Sequence, residues 1–219
     1  MEKVNKNDFI ELKFTGKILG KDIFDTNISE DAKKIGIKVN DNPFIICVGQ
    51  KMVVDGLDNS LIDKEIGKKY YIELKPNEAF GERRKEFVKL IPLSVFTEKK
   101  IIPKAGMVLH MDYNLVRIVS ASGGRVLVDF NNPLAGKDIA YEFIVERKIK
   151  DDKEKINALL DYFVKKRLDY SLTDKKAIFE TDKFFGSIIK MLNDKFKDIL
   201  GIELIFKEKT VKTETQNNV

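Results

Sequence analysis

The chain has very few of the side chains that build disulfides and metal sites. Its 219 residues include one cysteine, Cys47, one histidine, His110, and no tryptophan. A single cysteine cannot form a disulfide within the chain, and one cysteine with one histidine falls short of the usual four-ligand zinc site. We therefore expect no internal disulfide, no metal site and no cofactor.

Long hydrophobic runs are also missing. No stretch approaches the roughly 20 apolar residues that a membrane-spanning helix needs. The first residues, MEKVNKNDF, are polar and do not form the apolar segment of a secretion signal. Cys47 lies in the apolar run FIICV, where a buried thiol is its default role, and a lone cysteine fits a reducing compartment. We predict a cytoplasmic protein with no membrane partner.

Negative charge is scarce in one part of the chain. The net charge is +5, and residues 83–130 hold nine Lys/Arg against four Asp/Glu. A basic patch can bind nucleic acid, but these basic residues are scattered and no base-stacking motif accompanies them. We favour a charged, solubilising surface beside apolar patches, and we do not expect a nucleic-acid partner. Salt-dependent RNA binding would reveal one.

Up to residue 150 the pattern is mostly that of β-strands. Apolar and polar residues alternate over residues 8–15, a turn is expected at 16–20, and one segment, 53–61, has helical spacing and is the only convincing helix. Further strands are expected at residues 21–25, 44–48 and 69–74. This arrangement predicts an α+β domain with an antiparallel sheet.

A second β-rich stretch follows. Pro92 and Pro103 bound a segment that we expect to be irregular, and Ser122-Gly123-Gly124 predicts a hairpin turn because glycine adopts positive φ easily. The predicted strands are residues 87–91, 107–110, 114–120 and 125–130. The apolar residues here exceed what so small a unit buries easily, so we expect some in its core and some exposed.

After residue 149 the pattern becomes helix–strand–helix–strand. Asp152 and Asp182 are placed to cap two amphipathic helices, and Gly201 is placed to end the second. Short strands are expected at residues 177–180 and 202–207. The last dozen residues form a polar tail that we predict to be disordered. A unit this small must cover its apolar faces, either on the rest of the chain or in a homodimer.

Four separated segments carry a recognisable order and spacing: DFIELKFTGKILGKDIFDTN (residues 8–27), NPFIICVGQKMVVDGLDNSLI (42–62), IGKKYYIELKPNEAFG (66–81) and PLAGKDIAYEFIV (133–145). Together they resemble the FKBP-type peptidyl-prolyl isomerases. Residues 82–130 interrupt them where SlyD-type members carry a chaperone domain in the flap. The added C-terminal unit lies outside the matched segments and is similar to the archaeal long type of the family.

The resemblance implies three units. An FKBP-like domain, an antiparallel sheet wrapped on a short helix, is expected from residues 1–85 and 131–150. A β-rich insert-in-flap domain is expected from residues 86–130, and a small α/β domain with its tail from residues 151–219. No His-rich tail like that of many SlyD-type proteins is present, so a nickel-handling role is not expected.

The resemblance also implies a pocket. Carried over one position at a time, the catalytic residues are Phe14, Asp25, Phe80 and Tyr141. The substrate-binding residues are Phe24, Phe44, Val53, Val54, Leu57 and Leu134. Phe14 and Phe80 stand where the best-known members have tyrosine. Taken singly, each aromatic residue would be an ordinary core residue, so only their joint order and spacing indicate a site.

The implied reaction is rotation about an X–Pro bond, which needs no nucleophile, metal or acid–base pair. We therefore predict a peptidyl-prolyl cis-trans isomerase that acts on unfolded, proline-containing polypeptides, with chaperone activity from the insert. The alternative is a non-catalytic holdase or adaptor that uses the insert and the C-terminal unit. The C-terminal unit is expected to support a homodimer or a second contact with client proteins.

Overall fold

A computed structural model describes residues 2–39, 42–111 and 114–209. The strands are β1 (Phe9–Ile18), β2 (Ile23–Thr26), β3 (Ile45–Cys47), β4 (Lys69–Leu74), β5 (Val88–Pro92), β6 (Val108–Met111), β7 (Asn114–Ser122), β8 (Arg125–Asp129), β9 (Ile139–Lys148), β10 (Tyr170–Thr173), β11 (Lys176–Thr181) and β12 (Glu203–Glu208). The helices are α1 (Ser29–Lys34), α2 (Asp55–Ser60), α3 (Leu93–Glu98), α4 (Asp152–Phe163) and α5 (Lys183–Leu200). Three separate sheets result, and the α+β fold class is confirmed.

The first sheet is antiparallel and has the order β2-β1-β9-β4, with β3 paired to β1. Alternate residues of each strand lie on its inner face. In the register of β1 with β9, Phe14 lies opposite Phe143 and Gly16 lies opposite Tyr141. Helix α2 packs against this face through Leu57, which is 1% exposed. β1 continues to Ile18, so the turn expected at residues 16–20 is displaced toward residues 19–21.

Two short helices contradict the expectation that the segment at residues 53–61 is the only helix in this part. α1 buries only Ala32, so it has no apolar stripe to detect. α3 begins directly after Pro92, inside the stretch expected to be irregular, and buries Phe96. Six-residue helices of this kind depend on tertiary packing, because so short a helix is not stable alone.

The second sheet belongs to the insert and has the antiparallel order β5-β8-β7-β6. Its core consists of Phe96 from α3 and residues of β7 and β8, namely Val116, Ile118, Val126 and Val128. The expected mixture of buried and exposed apolar residues is found, since Leu90 and Ile102 are 55% and 75% exposed.

The third sheet has the order β10-β11-β12, and α5 makes the crossover between the parallel strands β11 and β12. Asp182 caps α5 as expected, because its carboxylate accepts a bond of 3.0 Å from the Phe185 amide, and Gly201 ends the helix at φ 65°. The cap of α4 is Asp151, not Asp152 as predicted, and it accepts from the Glu154 amide at 2.9 Å. Asp152 pairs with Lys175 instead, at 2.5 Å.

Strand β10 is the element of this unit that the helix–strand–helix–strand prediction omitted. It pairs antiparallel with β11, and its Tyr170 ring lies 5.2 Å from the ring of Phe179. The predicted disordered tail falls mostly on residues 210–219, which lie outside the described residues, and Glu208 within it is the last residue of β12.

The C-terminal unit packs on the first sheet through a shared core. Phe9 and Ile149 from the first sheet belong to the same buried cluster as Leu159 of α4 and Phe179 of β11. The Tyr162 hydroxyl donates to the Lys51 carbonyl at 2.9 Å across this junction. The unit therefore covers much of its apolar surface within the chain.

Candidate functional site

Five of the predicted site residues form a continuous row of aromatic rings on the inner face of the first sheet. The ring centroids are separated by 5.5 Å (Phe44–Phe14), 5.9 Å (Phe14–Tyr141), 5.9 Å (Tyr141–Phe24) and 5.7 Å (Phe24–Phe80). Three of the four pairs meet edge to face, an arrangement that aromatic rings prefer. We call these five rings the aromatic row.

Gly16 makes room for the centre of the aromatic row. A Cβ atom at this position would lie 2.7 Å from Cζ of Phe24 and 2.8 Å from Cε1 of Tyr141. These distances are shorter than real contacts allow, so the two rings can lie over β1 only because residue 16 has no side chain. Gly16 was not among the predicted site residues, although the sequence Phe-Thr-Gly contains it.

Asp25 lies beside the row, on β2 opposite Gly16. Partial burial raises the pKa of this carboxyl group above 3.8, and a hydrogen bond from the Thr26 backbone opposes that effect. Tyr141 is 4% exposed, and burial, aided by the nearby negative charge of Asp25, raises the pKa of its phenol above its usual value of 10. Tyr141 therefore keeps its proton at neutral pH and can donate a hydrogen bond.

The floor of the site is the beginning of α2. Val53 and Val54 are half-buried, Leu57 is buried, and all three belong to the core cluster that contains Phe14 and Tyr141. Val54 is the N-cap of α2, in an extended conformation. The structure thus places the predicted valine pair against the core cluster that includes two rings of the aromatic row.

A buried carboxylate, which the sequence did not single out, holds the loop before this helix. Asp58 is 4% exposed, and its two oxygens accept from the amides of Gly49 at 2.8 Å and Lys51 at 3.0 Å. These bonds connect the turn at residues 49–51 to α2 and so position Met52 and Val53, which follow the turn. The sequence did not indicate that Asp58 is buried, because an aspartate on a short helix usually faces solvent.

Polar side chains that follow Asp25 hold Phe14 in place. The Asn27 carboxamide accepts from the Phe14 amide at 2.8 Å and donates to the Leu12 carbonyl at 2.7 Å. The Thr26 hydroxyl donates to the Phe14 carbonyl at 2.9 Å. Side chains thereby replace the missing strand partner beyond the end of β2. Sequence reasoning did not identify these two residues as part of the site.

Leu134 is the exception among the predicted site residues. It is half-buried in the loop between β8 and β9 and is not among the described residues that pack against the aromatic row. The other nine positions are connected through the core cluster, through ring contacts or, for Asp25, through its charge near Tyr141: Phe14, Phe24, Asp25, Phe44, Val53, Val54, Leu57, Phe80 and Tyr141.

Phe44 also borders a second space. It is 37% exposed and, with Met52, faces Ala158 and Tyr162 of α4 across a cleft of about 180 Å³. One end of the aromatic row therefore opens toward the C-terminal unit. The described residues contain no cluster of three or more His, Cys, Asp or Glu side chains that could hold a metal ion, and no helix in the described ranges is long and apolar enough to cross a membrane.

Comparisons with known proteins agree with this architecture. Residues 89–134 match the family model described as FKBP26, IF domain. A short-type peptidyl-prolyl cis-trans isomerase of Methanocaldococcus jannaschii is 26% identical over 141 residues, which is 63% of this chain and 89% of that protein. The FKBP-type isomerase SlyD of Helicobacter pylori is 26% identical over 127 residues, 57% of this chain and 63% of that protein.

Two further similarities also have partial coverage. FKBP11 of Bos taurus is 28% identical over 135 residues, 62% of this chain and 54% of that protein. The chain thus spans less than two thirds of the SlyD and FKBP11 relatives. A crystal structure of the three FKBP domains of wheat FKBP73 aligns with 69% of this chain and 42% of that chain, at 15% identity and a TM-score of 0.37.

An antiparallel sheet on a short helix, an aromatic site and a match of residues 89–134 to an IF domain are features that this chain shares with FKBP-like proteins. The chain is similar to FKBP-type peptidyl-prolyl isomerases, with relatives among the SlyD proteins.

Proposed function

We propose that the protein catalyses cis-trans isomerisation of X–Pro bonds in unfolded polypeptides and that its insert holds those polypeptides. The observation that carries the catalytic part is the aromatic row, which joins residues from distant parts of the sequence on one sheet face. Relatives named peptidyl-prolyl cis-trans isomerases support it.

The chemistry matches the site. The barrier to rotation about the peptide bond is about 18–20 kcal/mol, and a catalyst lowers it by binding the twisted bond better than the planar one. The twisted imide loses resonance charge separation and is less polar, so it is favoured among apolar rings. We propose catalytic roles for Phe14, Asp25, Phe80 and Tyr141, and substrate-binding roles for Phe24, Phe44, Val53, Val54, Leu57 and Leu134.

The chain-binding part is supported by the surface of the insert. One side of its sheet is covered by Phe96 of α3, and several apolar side chains elsewhere in the unit face solvent. Exposed examples are Phe87 (41%), Leu90 (55%), Ile102 (75%), Val108 (52%), Leu115 (41%) and Val119 (40%). Exposed apolar surface of this kind marks sites of interaction with other chains.

Replacing residues 87–130 with a short flap loop tests the division of labour. We expect unchanged turnover of a proline-containing tetrapeptide and much slower proline-limited refolding of a protein substrate. The reason is that the rings of the aromatic row lie outside the insert. Equal losses on both substrates would show instead that the insert shapes the catalytic site.

The alternative function, a holdase or adaptor without catalysis, makes a different prediction in the same refolding assay. A catalyst accelerates the slow phase at substoichiometric concentration, whereas a holdase suppresses aggregation only in proportion to its own concentration. Absence of tetrapeptide turnover by the intact protein would favour the holdase. The two readouts together decide between the functions.

We also retain the division into residues 1–85 with 131–150, residues 86–130, and residues 151–219. The short-type relative aligns with 63% of this chain, which supports assignment of this chain to the long type with an added unit. A cytoplasmic location is proposed from the single cysteine, Cys47, which is buried.

The C-terminal unit has two proposed roles. β12 is an edge strand, and Phe184 and Met191 on α5 are 70% and 74% exposed, so we propose a homodimer through this unit. The core shared with Phe9 and Ile149 favours packing within one chain. The cleft beside Phe44 would suit a further contact with a client polypeptide. Light scattering tests the first role, since a monomer at tens of micromolar would exclude the homodimer.

A further inference from the structure

Two chain segments connect the insert to the first sheet, and hydrogen bonds join them into one neck. The Gly136 amide donates to the Gly81 carbonyl at 2.8 Å, and the Phe130 amide donates to the Phe87 carbonyl at 2.9 Å. We call residues 81–87 and 129–136 the neck. The described core clusters of the first sheet and of the insert share no residue, so the neck carries much of the connection between the two units.

The centre of the neck is a buried asparagine. Asn131 is 7% exposed, its Oδ1 accepts from the Arg84 amide at 2.8 Å, and its Nδ2 donates to the Arg84 carbonyl at 2.9 Å. The side chain thus occupies both backbone groups of Arg84, as a neighbouring strand would. Such paired bonds fix the direction as well as the distance of the two segments.

A carboxylate connects this asparagine to the neighbouring arginine. Oδ1 of Asp129 accepts from Nδ2 of Asn131 at 2.6 Å and from the Asn131 amide at 2.9 Å. Oδ2 of Asp129 accepts from Nε and Nη2 of Arg83 at 3.1 and 2.7 Å. Both segments of the neck are therefore held by a single network in which Asn131 is the most buried side chain.

The network borders a groove that residues of the insert and of the neck line. Arg83, Asp129 and Asn131 line this space of about 790 Å³, and so do the exposed apolar residues Val108 and Leu115 of the insert. The neck therefore lies beside part of the exposed apolar surface of the insert.

We propose that Asn131 is a positioning residue that locks the orientation of the insert, so that a polypeptide held by the insert presents its prolines to the aromatic row. This proposal rests on the proposed function. Tethering raises the local concentration of a substrate only when the two sites can be occupied together. Loss of the lock would therefore weaken turnover of polypeptides while leaving small peptides unaffected.

The test uses full-length protein with Asn131→Ala, and Asn132→Ala as the matched control. Asn132 lies in the same loop but is exposed, and the one described bond of its side chain is accepted from the local Leu134 amide. Spin labels on cysteines introduced at Lys99 and Lys69, both exposed, report the distance between insert and first sheet. Burial raises the pKa of the Cys47 thiol to about 12, so the native cysteine does not compete for the label.

We expect Asn131→Ala to broaden the distance distribution and to lower kcat/KM for an unfolded protein about tenfold, mainly through KM. Tetrapeptide turnover should not change, and Asn132→Ala should behave as wild type. A narrow distribution in Asn131→Ala overturns the proposal, and so does a broad one with unchanged protein turnover. If the intact protein lacks tetrapeptide turnover, the proposed function fails, whereas the distance measurement still decides whether Asn131 locks the insert.

A second variant covers the case in which Asn131→Ala unfolds the insert, which hydrogen exchange at Ile118 and Val126 would reveal. Arg83→Gln removes the exposed end of the same network without emptying its buried centre. It should broaden the distances to a smaller extent with the insert still folded. Unchanged distances in Arg83→Gln, together with an unfolded insert in Asn131→Ala, would mean that Asn131 serves only the stability of the insert.

Discussion

The insert and the C-terminal unit are both small units added to the same sheet, but they are attached in different ways. The C-terminal unit shares a buried apolar cluster with Phe9, Cys47 and Ile149 of the first sheet. The insert has its own cluster around Phe96 and is joined through the polar network of Asn131. One attachment buries apolar side chains, and the other pairs hydrogen-bonding groups.

This difference determines how each unit should respond to change. A shared core couples the stability of two units, because exposing either one uncovers the apolar surface of the other. A hydrogen-bonded neck fixes orientation but contributes little net stability, since its groups are solvated when the neck opens. We therefore expect the C-terminal unit and the first sheet to unfold together and the insert to unfold separately.

Removal of each unit should give the largest contrast. A chain ending at Lys150 would expose Phe9 and Ile149, which are each 4% exposed in the intact protein. At about 1.5–3 kcal/mol for each large apolar side chain, the free energy of unfolding should fall by about 3–6 kcal/mol. Replacing the insert should leave the remainder nearly as stable. Urea unfolding measures both, and equal losses would contradict the distinction between the attachments.

Two matched core substitutions should separate the units without removing them. Phe179→Ala and Phe96→Ala each empty a fully buried position and should each cost about 3–5 kcal/mol. Phe179→Ala should lower the melting temperature of the first sheet, which carries the aromatic row. Phe96→Ala should destabilise the insert alone and leave tetrapeptide turnover unchanged. Hydrogen exchange and tetrapeptide kinetics report the two effects. Loss of tetrapeptide turnover in folded Phe96→Ala protein would show that the insert is coupled to the site.

Asp25→Asn should affect activity without disturbing either attachment. The pKa of Asp25 is raised in the folded protein, so ionisation above that pKa opposes folding. The variant should thus be slightly more stable than wild type at neutral pH, and the difference should vanish as the pH falls below 3.8. Tetrapeptide turnover should be lower than in wild type. Reduced stability with normal turnover would instead make Asp25 a structural residue.

Phe80→Tyr should give the smallest effect. Phe80 is half-buried at the end of the aromatic row, and a phenol there could donate a hydrogen bond to a substrate carbonyl. One such bond contributes about 0.5–1.5 kcal/mol, so KM for a tetrapeptide should fall by up to about tenfold. The melting temperatures of the insert and of the C-terminal unit should not move. An unchanged KM would show that residue 80 does not contact the substrate. Phe14→Tyr, which adds the same hydroxyl at a buried position, is the comparison variant.

Much of the fold was predictable where local patterns and long-range packing agree. β4 was predicted at its observed residues, and the four strands of the insert were each placed to within about two residues, because alternation of apolar and polar residues reflects one buried face. The ten-residue strand β9 was not placed from its pattern, and the other elements that were missed, α1, α3 and β10, are four to six residues long. Such short elements carry too few apolar residues to show a period.

The candidate site divides in the same way. The family resemblance implied the residues of the aromatic row, but Gly16, Asp58 and Asn27 were not predicted, since their importance comes from contacts with distant residues. Leu134 was predicted from its place in a matched segment; it lies in the loop before β9 and outside the core cluster that contains Phe14 and Tyr141. Asp151 caps α4 because its backbone is extended there. The sequence has two adjacent aspartates, Asp151 and Asp152, and does not show which of them has the extended backbone.

The sequence by itself determined the class of fold and most of the strands, because these follow from periodicity and turn chemistry, and its resemblance to a known family implied the set of aromatic side chains. Only the tertiary structure decided how the units are joined. Whether apolar faces on α4 and β11 meet a second copy or Phe9 and Ile149 depends on which surfaces fit each other. Likewise, a side chain such as Asn131 gains its role only when folding places it beside the backbone of Arg84 and excludes water.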